Sequence, residues 1–282
     1  MKGFRLEDVK PLIEFAFKED IGEGDITTNS IVPDDLITKA SMKAKSSGVI
    51  AGLGIAEYVF RLLDKDIVWK PLVNDGDYVE KGQIILEIKG SYRALLTGER
   101  TALNFLQRMS GIATATAKYV EAVKNYDTEI LDTRKTVPGL RLLDKYAVKM
   151  GGGTNHRIGL YDMVLIKDNH IKVAGGIKNA VAQVRKSAGD NIKIEVETTN
   201  LSEVREALEM KVDMIMLDNM TNQLMSEAVK MINRKAKVEA SGNMTLERIR
   251  EVAETGVDFI SIGALTHSVK AMDISMNIDN EG

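Results

Sequence analysis

Five side chains between residues 132 and 170 could bind an anion that carries more than one negative group. Arginine suits forked recognition of carboxylate or phosphate, and lysine acts as a point charge. The five are Arg134, Lys135, His156, Arg157 and Lys167. A single carboxylate does not need five cationic or titratable partners. The group therefore predicts a substrate with at least two anionic groups. The alternative is that they form solvated surface ion pairs, which contribute little.

Two acidic residues, Glu197 and Asp218, follow neighbouring apolar segments further along the chain. If these segments are adjacent strands, the two carboxylates could approach each other. Mg²⁺ prefers a few carboxylates together with waters and substrate phosphates, so the pair predicts a magnesium site for a phosphate-bearing substrate. Pairing with the cations is the alternative, and the spacing leaves it open.

The glycine cluster in GGGTNHR, residues 151–157, raises the question of a phosphate-binding loop. Two later turns fit a phosphate better, because the loops after the last strands of an α/β barrel often bind one through backbone amides. These turns, ASGNMT and SIGALTH, contain Ser241, Gly242, Asn243, Gly263 and His267. We predict instead that Gly151–Gly153 end a helix and form a turn with positive φ that directs His156 and Arg157.

Nearly all of these residues follow apolar segments that alternate with amphipathic ones. The strand-like segments end at EILDTRK, DMVLIKDN, IKIEVETT, DMIMLDN, KVEASGN and DFISIGA. This alternation predicts a parallel sheet with right-handed crossovers. The C-terminal strand ends of α/β barrels form the active-site rim, so the polar strand ends, Glu195 among them, favour a functional rim over ordinary turns. Six units are too few for the usual closed barrel, so we predict an incomplete or six-stranded barrel, with an open doubly wound sheet as the alternative.

The first hundred residues have a mixed pattern. LEDVKPLIEFAFKED has helical spacing, KASMKAKSSGVIAG and QIILEIKG read as strands, and a helical run follows from about Thr97 to Asn125. LVNDGDYVEKGQIILEIKG resembles half of a biotinyl or lipoyl carrier domain. Because Lys89 is followed by Gly90 and Ser91, without the lysine-presenting hairpin, an ordinary strand–turn–strand is favoured.

The composition is that of a globular protein of one or two domains: 282 residues, 44% hydrophobic and 28% charged. The net charge of -3 and the absence of a basic block argue against a nucleic-acid partner. The lack of cysteine excludes disulfides and thiolate metal sites. The first residues do not form a signal peptide, and the stretch VIAGLGIAEYVF, interrupted by Glu57, is too short to span a bilayer. We therefore expect a cytoplasmic protein with no membrane partner.

Several of these segments together resemble the quinolinate phosphoribosyltransferase family. They are KEDIGEGDITT, GERTALNFLQRMSGIATAT, LDTRKTVPGLRLLDKYAVKMGGGTNHRIGLYDMVLIKDNHI, IEVET, MLDN and EASGNM with ISIGALTHS. The resemblance runs over essentially the whole chain, and the long TRKT…GGG…HR…KDNH block gives it its specificity.

The resemblance implies a fold and an activity. The fold would be an N-terminal α/β sandwich domain over residues 1–108, to which residues 268–282 return, and an incomplete α/β barrel of six or seven strands over residues 109–267. The activity would be transfer of phosphoribosyl from phosphoribosyl pyrophosphate to quinolinate with decarboxylation. Its products are nicotinate mononucleotide, pyrophosphate and CO₂, its cofactor is Mg²⁺, and its place is de novo NAD biosynthesis.

The resemblance also assigns residues. The implied quinolinate pocket comprises Arg100, Arg134, Lys135, His156, Arg157 and Lys167. Arg100 would come from the neighbouring subunit of a homodimer or a higher oligomer. The implied phosphoribosyl pyrophosphate site comprises Glu197, Asp218, Ser241, Gly242, Asn243, Gly263 and His267. Mg²⁺ would bind at Glu197 and Asp218, directly or through water, and catalytic roles fall on Lys135, Lys167, Glu197 and Asp218.

Two other enzyme activities remain as alternatives. One is a paralogous phosphoribosyltransferase that acts on another acid, as in the molybdenum-operon relatives of the family; the complete set of pocket cations argues against it. The other is a Schiff-base lyase, because Lys167 ends a strand inside a barrel and a desolvated lysine is the usual nucleophile of such enzymes.

Overall fold

The computed structural model describes residues 5–189 and 192–279. The helices are α1 (Lys10–Ile21), α2 (Ile26–Ile31), α3 (Leu53–Leu63), α4 (Tyr92–Val123), α5 (Arg141–Met150), α6 (Asp168–Ala174), α7 (Ile177–Ala188), α8 (Leu201–Glu209), α9 (Asn222–Ile232), α10 (Ile249–Glu254) and α11 (Ala264–His267). The strands are β1 (Ile37–Ala44), β2 (Gly48–Val49), β3 (Val68–Pro71), β4 (Tyr78–Val79), β5 (Ile84–Ser91), β6 (Glu129–Leu131), β7 (Val164–Ile166), β8 (Ile194–Thr198), β9 (Met214–Asp218), β10 (Lys237–Ser241), β11 (Phe259–Ser261) and β12 (Ile274–Ile278).

The chain forms two compact units. The first comprises residues 1–117, 136–152 and 265–282, and the second comprises residues 118–135 and 153–264. The domain boundaries inferred from the sequence stay a prediction, and their outer limits at residues 1 and 282 lie outside the described residues. Among the helices that are described, none is long and apolar enough to cross a membrane.

The first unit is built on a four-stranded antiparallel sheet with the order β12-β1-β5-β3. Helix α3 is buried along one side, at positions that include Val59 and Phe60. The Phe60 ring lies 6.2 Å from the ring of Trp69 on β3, measured between centroids. A Cβ atom added at Gly98 of α4 would come within 3.0 Å of the Phe60 ring. The aromatic side chain therefore packs between the sheet and α4.

The pairing and the end of strand β5 test two predictions for this unit. Lys89 pairs with Lys39 and Val68 inside the sheet, so it does not lie at a hairpin tip, and the carrier-domain interpretation is wrong. The strand ends at Ser91 and α4 begins at Tyr92, five residues before the predicted Thr97. The helix can begin this early because its first backbone N–H groups find hydrogen-bond acceptors outside the helix. Tyr92 N–H donates to the Leu36 carbonyl at 2.8 Å.

The second unit contains a six-stranded parallel sheet with the order β6-β11-β10-β9-β8-β7. Helices α6 to α10 lie between its successive strands β7 to β11 in the chain. This confirms the predicted fold class of mixed α/β with six parallel strands. Two helix ends carry recognisable local signals: Asn200 Oδ1 caps α8 by accepting from Glu203 N at 3.0 Å, and Gly256, with φ of +88°, follows α10.

Side chains alternate between the two faces of each parallel strand. On one face lie buried apolar residues, such as Val196, Leu217 and Ala240. The opposite face of the same strands carries polar side chains, including Glu195 and Glu239. Because alternate side chains of a strand point to opposite faces, these apolar residues pack on one side of the sheet and these glutamates lie on the other.

A buried ion pair connects three segments of the first unit. Arg108 on α4 donates from Nε and Nη2 to the two carboxylate oxygens of Asp144 on α5, at 3.0 and 2.9 Å. The same Nη2 lies 3.4 Å from the carbonyl of Thr266 on α11. Asp144 is fully buried, and burial raises the pKa of its carboxyl group while the hydrogen bonds from Arg108 oppose that rise.

We expect Arg108→Met to lower the free energy of unfolding by about 3–5 kcal/mol, because Asp144 would be left as an unpaired buried charge. The double variant Arg108→Met/Asp144→Leu should recover part of this loss, since it removes both charges. Lys70→Met, which breaks an exposed pair with Glu87, is the control and should change stability by under about 1 kcal/mol. Urea unfolding at a fixed protein concentration measures all three. A small loss in the first variant would contradict the buried pair.

Candidate active site

The polar face of the second unit's sheet gathers the acidic residues of the site. Glu195 and Glu197 lie on β8, Asp218 ends β9, and Glu239 and Ser241 lie on β10. The registers pair Glu197 with Met216 and Met216 with Glu239, so these strands run level with one another. The predicted convergence of polar strand ends on one face is therefore found in the structure.

Residues 153–157 extend this sheet beside β6. Thr154 forms a parallel bridge with Leu131, and its N–H donates to the Ile130 carbonyl at 2.8 Å. The fully buried Asp132 then accepts from the backbone N–H of His156 at 3.0 Å and from Asn155 Nδ2 at 2.5 Å. The carboxylate of Asp132 thus fixes the backbone from which the His156 ring extends.

The His156 ring lies against two buried glutamates. Its Nε2 is 2.9 Å from Glu195 Oε2 and 3.2 Å from Glu239 Oε2. Both carboxylates are fully buried, and the His156 side chain is only 8% exposed. The two glutamates lie on β8 and β10, so the sheet curls enough for one ring beside β6 to reach both.

This contact controls the charge of the imidazole. Burial alone would lower the pKa of His156, but the hydrogen bonds and negative charges of Glu195 and Glu239 raise it to about 10. Burial raises the pKa of Glu195, and repulsion from Glu239 raises it further, while the contact with His156 opposes both. The two carboxylates therefore favour the imidazolium form of His156 at neutral pH.

Two arginines lie close to this cluster. Burial lowers the pKa of the Arg157 guanidinium, the positive charge of Arg134 lowers it further, and the carboxylate of Glu195 opposes both. Arg157 is also held in place, since its Nη1 donates to the Met163 carbonyl at 3.2 Å. Arg157 is thus within electrostatic range of both Arg134 and Glu195, and Glu195 also contacts His156. Lys135 is exposed, and its backbone N–H donates to Thr133 Oγ1 at 3.0 Å.

Lys167 lies at the end of β7, immediately before α6, and its Nζ contacts the carboxylate of Glu197. The Lys167 side chain is 45% exposed, and that of Glu197 is 12% exposed. A Schiff-base lysine is instead desolvated or placed beside another cation. The ion pair and the exposure therefore disfavour the lyase alternative.

The turns after β9 and β10 interlock. Asn219 N–H donates to the Ser241 carbonyl at 3.0 Å, and Asn243 Nδ2 donates to Asn219 Oδ1 at 3.2 Å. Gly242 has φ of +93°, and a Cβ atom there would lie 2.2 Å from Asn219 Oδ1. Position 242 therefore requires glycine, both for its backbone conformation and for the close approach of the neighbouring turn.

Three further predicted residues lie near chain turns or on a helix. Gly263 follows Ile262, whose N–H donates to the Leu131 carbonyl at 2.9 Å in the second unit. Within the first unit, His267 is exposed at the end of α11 and its Nδ1 lies 2.8 Å from Ser268 Oγ. Arg100 is exposed on α4.

The glycine cluster behaves as predicted. Helix α5 ends at Met150 and Gly151 follows as its cap. A Cβ atom at Gly151 would lie 2.4 Å from the Ala113 carbonyl oxygen, and Gly152 has φ of +86°. The cluster thus ends a helix and turns the chain towards residues 153–157.

Two groups of side chains have the chemistry of metal ligands. Glu197 and Asp218 offer carboxylate oxygens on one face of neighbouring strands, which fits Mg²⁺ and a phosphate-bearing substrate. His156, Glu195 and Glu239 offer ligand atoms that all lie within 4.8 Å of one another. The sequence prediction missed Glu239. The sequence feature that could have revealed it is an acidic residue between Val238 and Ala240, which are both apolar.

Comparison with known proteins identifies the family. The family model for the quinolinate phosphoribosyl transferase N-terminal domain matches residues 25–110, and the model for the C-terminal domain matches residues 112–277. The chain belongs to the quinolinate phosphoribosyltransferase family. This confirms the resemblance inferred from the sequence motifs.

Individual members of the quinolinate phosphoribosyltransferase family are similar over nearly their whole length. Quinolinate phosphoribosyltransferase [decarboxylating] 1b of Nicotiana tabacum is 45% identical over 97% of this chain and 83% of its own. A probable nicotinate-nucleotide pyrophosphorylase of Bacillus subtilis is 46% identical over 96% of this chain and 93% of its own. The crystal structure of NadC from Streptococcus pyogenes superposes with a TM-score of 0.96, at 41% identity and 99% coverage of both chains. Some plant relatives are named mitochondrial or chloroplastic, so the cytoplasmic location stays a prediction.

We expect the His156 ring to remain protonated through neutral pH and to titrate near pH 10. The folded-state pKa lies above the ordinary 6.5, so this proton stabilises the fold fully below about pH 6.5 and progressively less towards about pH 10. Histidine NMR signals measure the titration. The chain has only 3 histidines, so loss of one signal in His156→Gln assigns it. A midpoint near 6.5 would contradict the two buried contacts.

Proposed function

We propose that the protein transfers phosphoribosyl from phosphoribosyl pyrophosphate to quinolinate, with decarboxylation, in de novo NAD biosynthesis. The products are nicotinate mononucleotide, pyrophosphate and CO₂. One observation carries the proposal: His156 contacts the buried Glu195, and the Arg157 guanidinium feels the charges of both Glu195 and Arg134. Quinolinate is a pyridine dicarboxylate, and it needs such cationic side chains to hold two adjacent carboxylates. Membership of the family supports the same substrate.

Binding of the acid rests on the cationic side chains. Arg134 and Arg157 supply forked donors for carboxylate oxygens, and His156 supplies a further positive charge. Lys135, exposed beside Arg134, and Lys167, at the end of β7, complete the proposed pocket. Because several donors hold the ring, the ring nitrogen is held in one orientation.

The transfer step needs orientation more than proton transfer. The pyridine nitrogen has a lone pair, so it attacks the anomeric carbon of the ribose without a general base. The bond from that carbon to the pyrophosphate oxygen breaks, and pyrophosphate leaves with the bonding electrons. Positioning and electrostatic stabilisation therefore account for the rate.

The acidic strand ends suit the sugar and its pyrophosphate. Glu197 and Asp218 would hold Mg²⁺, which when bound takes up negative charge on the leaving pyrophosphate. Their own carboxylates stabilise positive charge that develops on the sugar carbon, as in other glycosyl transfers. Glu197 contacts Lys167, so this lysine connects the proposed acid pocket to the proposed sugar site.

The interlocked turns suit the 5-phosphate. Ser241, Gly242 and Asn243 follow β10, and Gly263 follows β11, where α/β barrels often bind phosphate through backbone amides. Gly242 lets the turn after β9 approach this backbone closely, since a Cβ atom there would lie 2.2 Å from Asn219 Oδ1. The resemblance to the family also assigns His267 to the binding of phosphoribosyl pyrophosphate.

Decarboxylation then follows from the charge on the ring. Once the nitrogen is alkylated, the pyridinium accepts the electron pair of the bond to the adjacent carboxylate, and CO₂ leaves. The ring carbon afterwards takes a proton. We propose that Lys167 or His156 orients that carboxylate.

The assembly belongs to the same proposal. Arg100 is exposed on α4, a position from which it can serve a neighbouring copy of the chain. We propose a homodimer, or a higher oligomer built from it, in which Arg100 completes the acid pocket of the other subunit.

The purified protein with quinolinate, phosphoribosyl pyrophosphate and Mg²⁺ should release CO₂ and form nicotinate mononucleotide. Arg134→Ala should lower kcat/KM strongly, because a charged contact to the acid is lost. Product chromatography and trapping of labelled CO₂ measure both. Turnover of nicotinate without turnover of quinolinate would overturn the substrate assignment. Turnover only of another acid would favour the paralogue alternative.

Subunit complementation tests the place of Arg100. Arg100→Ala and Arg157→Ala are each expected to be nearly inactive alone. Co-expressed mixed dimers would contain one intact site, so an equal mixture should regain about one quarter of wild-type activity. An Arg100 that acts within its own subunit would leave every site of the mixture defective, and no activity would return.

A further inference from the structure

Two carboxylates lie buried beside His156 and have no part in the chemistry described so far. Glu195 and Glu239 are both fully buried. Glu195 Oε1 and both oxygens of Glu239 lack a hydrogen-bond partner of good geometry. Burying a carboxylate without full hydrogen bonding is costly, and apolar residues of similar size would often be as stable or more so. Stability of the fold therefore does not explain why the strands carry these acids.

The contacts of His156 show what the acids do locally. Its backbone N–H is held by Asp132, and its Nε2 faces Glu195 and Glu239 at 2.9 and 3.2 Å. Glu195 Oε2 lies within hydrogen-bonding distance of Nε2, and Glu239 adds negative charge beside the same nitrogen, so the contacts favour a proton on Nε2. The ring is thereby fixed in rotation, and its other edge, which bears Nδ1, is the edge that points away from the two acids.

A second effect concerns the arginines. The charges of Arg134 and Arg157 oppose each other, and the carboxylate of Glu195 compensates. Cations gathered for a dianionic substrate repel one another before that substrate arrives. Internal counter-charge keeps them gathered in the unliganded protein.

We propose that Glu195 and Glu239 are positioning residues of the acid pocket: they hold His156 by Nε2 and so present its opposite edge to a carboxylate of the pyridine dicarboxylate. This inference rests on the proposed function. The acids act through the histidine. Strands β8 and β10 thus carry the two buried acids as well as Glu197 and Ser241 of the proposed substrate sites.

Variants of Glu239 test the proposal through substrate-specific kinetics. Glu239→Met removes the acceptor at similar volume, and we expect it to raise the KM for quinolinate about tenfold or more. The KM for phosphoribosyl pyrophosphate should stay within about twofold, and the melting temperature should stay equal or rise. Glu239→Gln keeps an acceptor oxygen and should fall between this variant and the wild type. Glu129→Gln is the matched control, because Glu129 lies in the same register row across β11 yet is exposed, and it should behave as the wild type.

A measurement without substrate separates this inference from the proposed function. Nitrogen-15 NMR of the wild-type histidines should show Nε2 of His156 protonated, whether or not the protein turns over quinolinate. An unprotonated Nε2, including one that coordinates a divalent metal held by the same three side chains, would overturn the proposal. So would equal rises of both KM values in Glu239→Met, which indicate general damage, or no rise at all. If Glu239→Met does not fold, Glu239→Gln and the wild-type spectrum still decide.

Discussion

Positive side chains can be gathered in a half-buried pocket only if negative charge lies close beneath them. In this protein that charge is on carboxylates at the polar face of the parallel sheet. Asp132 holds the backbone of His156, and Glu195 and Glu239 hold its ring. The alternation along β8 and β10 makes this possible, because it buries Val196 and Ala240 on the opposite face. The electrostatics of the site and the packing of the sheet therefore depend on the same period of two.

Much of this architecture could be predicted from local pattern. The six strand-like segments and their polar ends gave the parallel sheet and the face on which the site lies. Asn200 and Gly256 mark helix ends that the local sequence could predict, because capping is a local interaction. The start of α4 was missed because Tyr92 is satisfied by Leu36, which is distant in sequence. Glu239 was missed for a similar reason: its importance comes from a histidine on another segment.

At the strand ends, too, some features can be read from the local sequence and others depend on tertiary contacts. A glycine after β10 is visible in the sequence, but the reason for it is not. Gly242 must admit the side chain of Asn219 from the turn after β9. Asn219 and Asn243 themselves have positive φ, of 54° and 51°, a conformation that asparagine tolerates better than most residues. The turns that we propose for phosphate binding are thus fixed jointly, and neither would keep its shape alone.

The pairing of β12 with β1 has a consequence for synthesis of the chain. Thr38 and Asp279, which meet where these strands pair, are 241 positions apart. While the chain is on the ribosome, β1 has only β5 as a neighbour and presents an open edge. The sequence of the entire second unit is complete before β12 emerges to cover that edge. A nascent or prematurely terminated chain would therefore expose the unpaired edge of β1, which can pair with other chains. Such a chain is a natural substrate for chaperones.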